Sequence, residues 1–170
     1  TALVCGESRL TYRQINTAIN QIANGLKAAG IGKGDNVALS CLNIPYFPMA
    51  YYAILKVGAT VVPLNVLSTG REIGYYLNDS NAKAYLCFQG TPELPMAQSG
   101  YEGFRLADKC ENYWVIMADP TAPSCIEGTT SLAEMMVGQS SDCDLTCTGA
   151  EETAVILYTS GTTGFPKGAE

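Results

Sequence analysis

Ala154-Val-Ile-Leu-Tyr-Thr-Ser-Gly-Thr-Thr-Gly-Phe-Pro-Lys-Gly168 runs from an apolar, strand-like stretch straight into a loop of glycines, hydroxyls and one lysine. In a parallel sheet that is where the ligand-binding edge lies. Gly161, Gly164 and Gly168 free the backbone to bring its N–H groups close to an anion. Thr159, Ser160, Thr162 and Thr163 add hydroxyl donors, and Lys167 adds charge. Each charge-assisted hydrogen bond contributes roughly 1.5–3 kcal/mol, so a few of them together suffice for a polyphosphate.

Two commoner phosphate loops do not fit. A Walker loop needs a glycine before its lysine and Ser or Thr after it, but Pro166 and Gly168 flank Lys167. Gly30-Ile-Gly32-Lys-Gly34 follows a helical pattern rather than a strand and lacks the glycine spacing of a dinucleotide fingerprint. It reads as a connecting turn.

Upstream, apolar periodicity alternates between helix and strand. Ile15, Ile19, Ile22 and Leu26 share one helical face, opened by the capping box Thr11/Gln14 and stopped by Gly30. Residues 36–41 read as a buried strand, 47–56 as a helix ended by Gly58, and 60–64 as a strand with Pro63 near its end. Thr69/Glu72 caps a helix carrying Ile73, Tyr76 and Leu77, in which the pairs Tyr51-Tyr52 and Tyr75-Tyr76 of the two helices are expected to pack in the core. A strand at 84–88, a loop over 89–100, a helix near 103–111 and a strand at 113–117 follow. Ser131/Glu134 caps a short helix, and 138–153 is a polar, acidic connection. The final strand, 154–158, is expected to be buried, with Tyr158 facing inward. Strands separated by helices imply right-handed crossovers and an α/β fold: a mainly parallel sheet flanked by helices on both faces. The acidic connection marks a boundary between an α/β subdomain, 1–150, and the strand plus loop, 151–170.

The chain has 170 residues, 47% of them hydrophobic, enough to bury a core. Its net charge is −6, and between Lys109 and Lys167 eight acidic residues occur with no basic one. Such a surface cannot neutralise many phosphates, which argues against nucleic acid as a partner but not against one compact nucleotide. Seven cysteines without framework spacing fit a reducing, cytoplasmic setting. Cys143 and Cys147, with no histidine anywhere, make a poor zinc site. No stretch approaches the roughly twenty apolar residues of a transmembrane span. Thr1 at the start and a phosphate loop at the end give both termini the look of cuts in something longer.

Tyr158-Thr-Ser-Gly-Thr-Thr-Gly-Phe-Pro-Lys-Gly168 resembles the signature phosphate loop of the adenylate-forming (AMP-binding) superfamily, which includes acyl-CoA synthetases, adenylation domains of peptide synthetases and firefly-type luciferases. The likeness extends upstream through LTYRQIN, GIGKGDNVAL, CLNIPYF, ILKVGATVVPLN and EIGYYLNDSNAKAYL, and is loose only over about 89–150. It implies the large amino-terminal domain of the adenylate-forming fold. It also implies a two-step reaction: a carboxylate attacks the α-phosphorus of Mg²⁺-bound ATP to give an acyl adenylate and pyrophosphate, and a thiol then takes the acyl group.

In that family role, Thr159, Ser160, Gly161, Thr162, Thr163, Gly164 and Lys167 would cradle the β and γ phosphates, a task that needs donors and a cation but no proton-transfer group. The family's base and acyl pockets and its carboxy-terminal lysine have no counterpart in this sequence, so the 170 residues alone are expected to be inactive, with no catalytic residue among them. ILKVGATVVPLN and the segment after it look most like a fatty-acyl-CoA synthetase. ATP, a medium- or long-chain fatty acid and coenzyme A are therefore the expected small-molecule partners, with peripheral membrane association left open. An adenylation domain serving a carrier protein and a non-catalytic nucleotide-binding module are the alternatives.

Overall fold

The computed structural model describes residues 1–159 and 164–170. The chain opens with a ribbon absent from the sequence expectations: β1 (Leu3–Cys5) pairs antiparallel with β2 (Ser8–Leu10). Gly6, at φ +56°, is the first of its two turn residues, a position where a side chain is disfavoured.

The main layer alternates: α1 (Tyr12–Ala28), β3 (Asn36–Ser40), α2 (Tyr46–Lys56), β4 (Thr60–Pro63), α3 (Gly70–Asp79), β5 (Ala82–Phe88), α4 (Met96–Phe104), β6 (Asn112–Ile116), β7 (Thr130–Ser131) and α5 (Leu132–Met136). Five strands form one parallel sheet in the order β4-β3-β5-β6-β7, with Val37 opposite both Val61 and Ala84, and Leu86 opposite Trp114. The step from β3 to β4 and the step from β4 to β5 run in opposite directions across the sheet. Right-handed crossovers therefore put α2 on one face and α3 on the other. The packing agrees, since α1 meets α2 and α5 while α3 meets α4. Val37, Leu39, Val61, Leu86 and Val115 are wholly buried between these layers, as expected of a sheet covered on both faces.

All three capping boxes form. Thr69 N–H donates to Glu72 Oε2 at 2.8 Å and Ser131 N–H to Glu134 Oε2 at 2.7 Å, while Thr11 N–H donates to Gln14 Oε1 at 2.8 Å. At the far end of α1, Gly30 takes φ +76°, which lets Ile31 N–H reach Leu26 O at 3.0 Å and Gly30 N–H reach Lys27 O at 2.9 Å. The Gly30–Gly34 stretch is accordingly the turn from α1 to β3.

One helix lies elsewhere than its sequence suggests. The helix expected at 103–111 is α4, Met96–Phe104, which begins within the stretch 89–100 that reads as a loop rich in Gly, Pro and Gln. Glycines of α3 and α4 are the contact points between them. A β-carbon on Gly103 would lie 2.5 Å from Ile73 Cγ2 and 2.8 Å from the Gly70 carbonyl, and one on Gly74 would lie 2.9 Å from Leu106 Cβ. The helical cost of glycine, about 1 kcal/mol each, is offset by the close approach of α4 to α3.

Residues 140–144 of the acidic connection lie along α1. Asn20, Asn24 and Lys27, a polar row at helical spacing, donate to the carbonyls of Ser141 (2.6 Å), Asp142 (2.9 Å) and Asp144 (3.0 Å). Among the described residues no helix is long and apolar enough to cross a membrane.

Gly103→Ala is expected to destabilise the fold by about 1–3 kcal/mol, because the Gly70 backbone cannot yield to it; urea denaturation followed by circular dichroism measures this. Thr69→Ala is expected to cost about 1 kcal/mol by removing the α3 cap. Hydrogen bonds from Thr69 hold the Glu72 carboxyl below its usual range. The depressed value means that the Glu72 half of the cap contributes fully above the ordinary glutamate value of about 4.3 and fades as the pH falls further. The Thr69→Ala penalty, measured by the same unfolding at pH 7 and pH 3, should therefore shrink at pH 3.

Candidate functional site

The stretch that decides the sequence reading leaves the sheet at its β4 edge. Val61 N–H donates to Ala154 O at 3.0 Å and Ile156 N–H donates to Val61 O at 2.9 Å, so residues 154–156 run parallel to β4 through a single bridge, Val61 to Val155. Thr60 Oγ1 fixes the approach by donating to Thr153 O at 3.0 Å. The chain then forms β8 (Leu157–Thr159), which pairs antiparallel with β9 (Lys167–Ala169), Tyr158 opposite Gly168 and Thr159 opposite Lys167.

The sequence suggests a buried strand over 154–158. Here the structure differs: Val155 and Ile156 are half-buried and Leu157 is 52% exposed. The reason is that this segment borders the sheet on one side only and takes its second partner from its own hairpin. Gly168 has a packing role in that hairpin, because a β-carbon there would lie 2.7 Å from Ile156 Cγ2. A serine or threonine after the lysine, as in a Walker loop, would clash.

Thr159, Gly164 and Lys167 thus stand at the two ends of one hairpin loop. Ser160, Gly161, Thr162 and Thr163 lie outside the described residues. Thr159 and Lys167 face each other across the hairpin base, with Thr159 Oγ1 3.5 Å from Lys167 O, and both are exposed. Gly164 adopts φ +153°, a conformation that side chains resist.

Helix α3 holds the hairpin on both limbs. On the limb before the loop, Tyr158 packs on Tyr76 with ring centroids 4.6 Å apart, and its hydroxyl donates to Asp79 Oδ2 at 2.7 Å. On the limb after it, Tyr75 stacks on Phe165 at 5.2 Å and 27°, and its hydroxyl donates to Pro166 O at 2.8 Å. Burial, and then the Asp79 carboxylate, push the Tyr158 and Tyr75 phenols above their usual range, so both remain protonated donors at neutral pH.

Three expectations are corrected here. Tyr75 docks the hairpin instead of filling the interior, Tyr52 is 56% exposed, and Tyr158 packs against α3 rather than inside the sheet; Tyr51 and Tyr76 pack partly buried at the margin of the core. Tyr75, Tyr76 and Asp79 are the residues that sequence reasoning missed; the available signal was Tyr75 and Asp79 at i, i+4, off the Ile73–Leu77 stripe. Between α3 and the hairpin lies a cleft of about 530 Å³, bordered by Thr69, Arg71, Glu72, Tyr75 and Gly164–Pro166.

Chemically the arrangement offers donors, one ammonium and an aromatic wall. The buried thiols contribute no nucleophile, since burial pushes Cys41 and Cys110 up to about 12 and Cys87 to about 11. Asp35 accepts from Gly32 N–H at 2.9 Å and pairs with Lys83 at 3.3 Å, a turn function. Among the described residues no three acidic, thiol or imidazole groups are grouped to hold a metal ion.

Known proteins match the chain in sequence and in fold. The AMP-binding enzyme family matches residues 1–170. The long-chain-fatty-acid–CoA ligase FadD13 of Mycobacterium tuberculosis is 34% identical over 94% of the chain, and the crotonobetaine/carnitine–CoA ligase of Escherichia coli is 32% identical over 99%. The chain spans 29% and 32% of those relatives. The crystal structure of the anthranilate CoA ligase AuaEII in complex with anthranoyl-AMP superposes with a TM-score of 0.83 at 29% identity, covering 99% of this chain and 30% of that one. The Brucella canis acyl-CoA synthetase, at 22% identity and a TM-score of 0.77, shares the fold. With the match running from end to end, the chain belongs to the AMP-binding enzyme family.

Proposed function

We propose that this chain supplies the phosphate-gripping part of an ATP-dependent acid–CoA ligase. A carboxylate oxygen attacks the α-phosphorus of ATP, the bond to the bridging oxygen breaks, and pyrophosphate leaves with that electron pair. The thiol of coenzyme A then attacks the acyl carbon of the adenylate, expelling AMP and losing its proton. The observation that carries the reading is the β8–β9 pairing that sets Thr159 opposite Lys167, anchored to α3 in a chain matched over its whole length by the AMP-binding family.

In this reading Thr159, Ser160, Gly161, Thr162, Thr163, Gly164 and Lys167 bind the β and γ phosphates. Lys167 and the loop amides oppose the charge that grows on the departing pyrophosphate, which lowers the barrier because they are already oriented. Magnesium would neutralise triphosphate charge. Residues 1–150 form one α/β subdomain and 151–170 open the next part of the same domain.

The acid we favour is a medium- or long-chain fatty acid, on the resemblance of residues 54–83 to fatty-acyl-CoA synthetases and the similarity to FadD13. Coenzyme A is favoured over a carrier protein as acceptor because the named relatives are CoA ligases. The seven cysteines and the acidic surface suit a cytoplasmic enzyme, in contact with a membrane at most peripherally.

The test is ATP–pyrophosphate exchange by the full-length protein with fatty, aryl, carnitine-type and amino acids. Exchange is expected with fatty acids, and no exchange with any acid would remove the reading. Lys167→Ala is expected to slow adenylation about a hundredfold, the scale of losing one preorganised donor to developing charge; single-turnover pyrophosphate release measures it.

A further inference from the structure

Nothing in the phosphate-loop reading itself calls for the side chains of α3, yet this helix takes hold of both limbs of the hairpin. Tyr75 and Asp79 are one helical turn apart. Tyr75 reaches the limb after the loop through Pro166 O (2.8 Å) and Phe165, and Asp79 reaches the limb before it through the Tyr158 hydroxyl (2.7 Å). The helix is itself fixed, by a capping box at one end and by glycine-to-backbone contact with α4 along its length. The loop is therefore tied at two points to a rigid support, although β8 and β9 touch the main sheet only at its edge.

A hairpin of three residues a side is marginal in water on its own. Placing donors within a few tenths of an ångström of a phosphate requires that the ends of the loop be held by something stiffer than the loop. The two tyrosine hydroxyls provide this. Stacking of Tyr75 on Phe165 keeps the second limb against α3.

We propose that Tyr75 and the Tyr158–Asp79 pair are positioning residues that hold the phosphate loop in its nucleotide-gripping register. They act through the loop and do not touch the nucleotide. The inference rests on the proposed function only for its consequence in ATP binding; the mechanical part stands on the hydrogen bonds.

The test uses the full-length protein with Tyr75→Phe, Tyr158→Phe and the double variant, which keep every ring and delete one or two hydroxyls. Two measurements are made below the melting transition of all four proteins: the rate at which trypsin nicks the Lys167–Gly168 bond, followed by mass spectrometry, and the KM values of adenylation for MgATP and for the acid. Expected are faster nicking and an MgATP KM raised about three- to tenfold per variant, the range of one net hydrogen bond, with the acid KM unchanged. A nicking rate in the double variant equal to wild type overturns the proposal. So does an MgATP KM within twofold of wild type, or a rise of both KM values together, which marks general loosening. If the wild type activates no acid, the proposed function fails while the nicking rates still decide whether these hydroxyls hold the loop.

Discussion

Gly103 lies against Ile73 and the Gly70 carbonyl at distances that leave no room for a methyl group, and the position of α3 follows from that contact. With α4 this close, α3 cannot shift toward it. Its buried stripe, Ile73 and Leu77, faces the core, and its capped amino-terminal end sets the entry from β4. What remains outward is Tyr75, half-exposed, with Asp79 one turn further on. The site is thus built from a helix whose inner face is committed to packing and whose outer face is free to hold a loop.

That division explains which parts of the structure are legible in the sequence. Wherever a side-chain pattern also determines the local backbone, the reading holds: the boxes at Thr11/Gln14, Thr69/Glu72 and Ser131/Glu134 satisfy orphan amides, and Gly30 and Gly58 end helices at positive φ. The apolar runs of β3, β5 and β6 are equally direct, because strands covered on both faces need continuous hydrophobicity. Right-handed crossover then turns their order into a sheet.

The rest depends on contacts between distant residues. Gly100 and Gly103 look like helix breakers in isolation and are instead the places where α4 meets Cys87, Tyr113 and α3, an advantage visible only with the partner in view. Tyr75 and Tyr158 look like core aromatics because an aromatic ring is mostly apolar area, yet each hydroxyl needs an acceptor, and Pro166 and Asp79 provide them from 91 and 79 residues away. The loop composition pointed to an anion at 159–167, but composition carries no information about the support beneath it. The ribbon at Leu3–Leu10 is short enough that alternation over three residues a side gives no usable period.

The division of labour has a chemical logic. Stabilising a departing pyrophosphate asks for donors and positive charge held still, and neither needs to titrate near neutral pH. Glycine and threonine supply such donors only on a backbone free to bend, and a backbone free to bend does not stay still by itself. In the proposed function an aromatic clamp resolves the conflict: it leaves the loop sequence open to small residues, while rigidity comes from α3, which glycine packing holds on the opposite side. Glycines therefore serve two opposed purposes in one chain, backbone freedom at Gly164 and close packing at Gly70, Gly74 and Gly103, and the difference lies in what stands next to them.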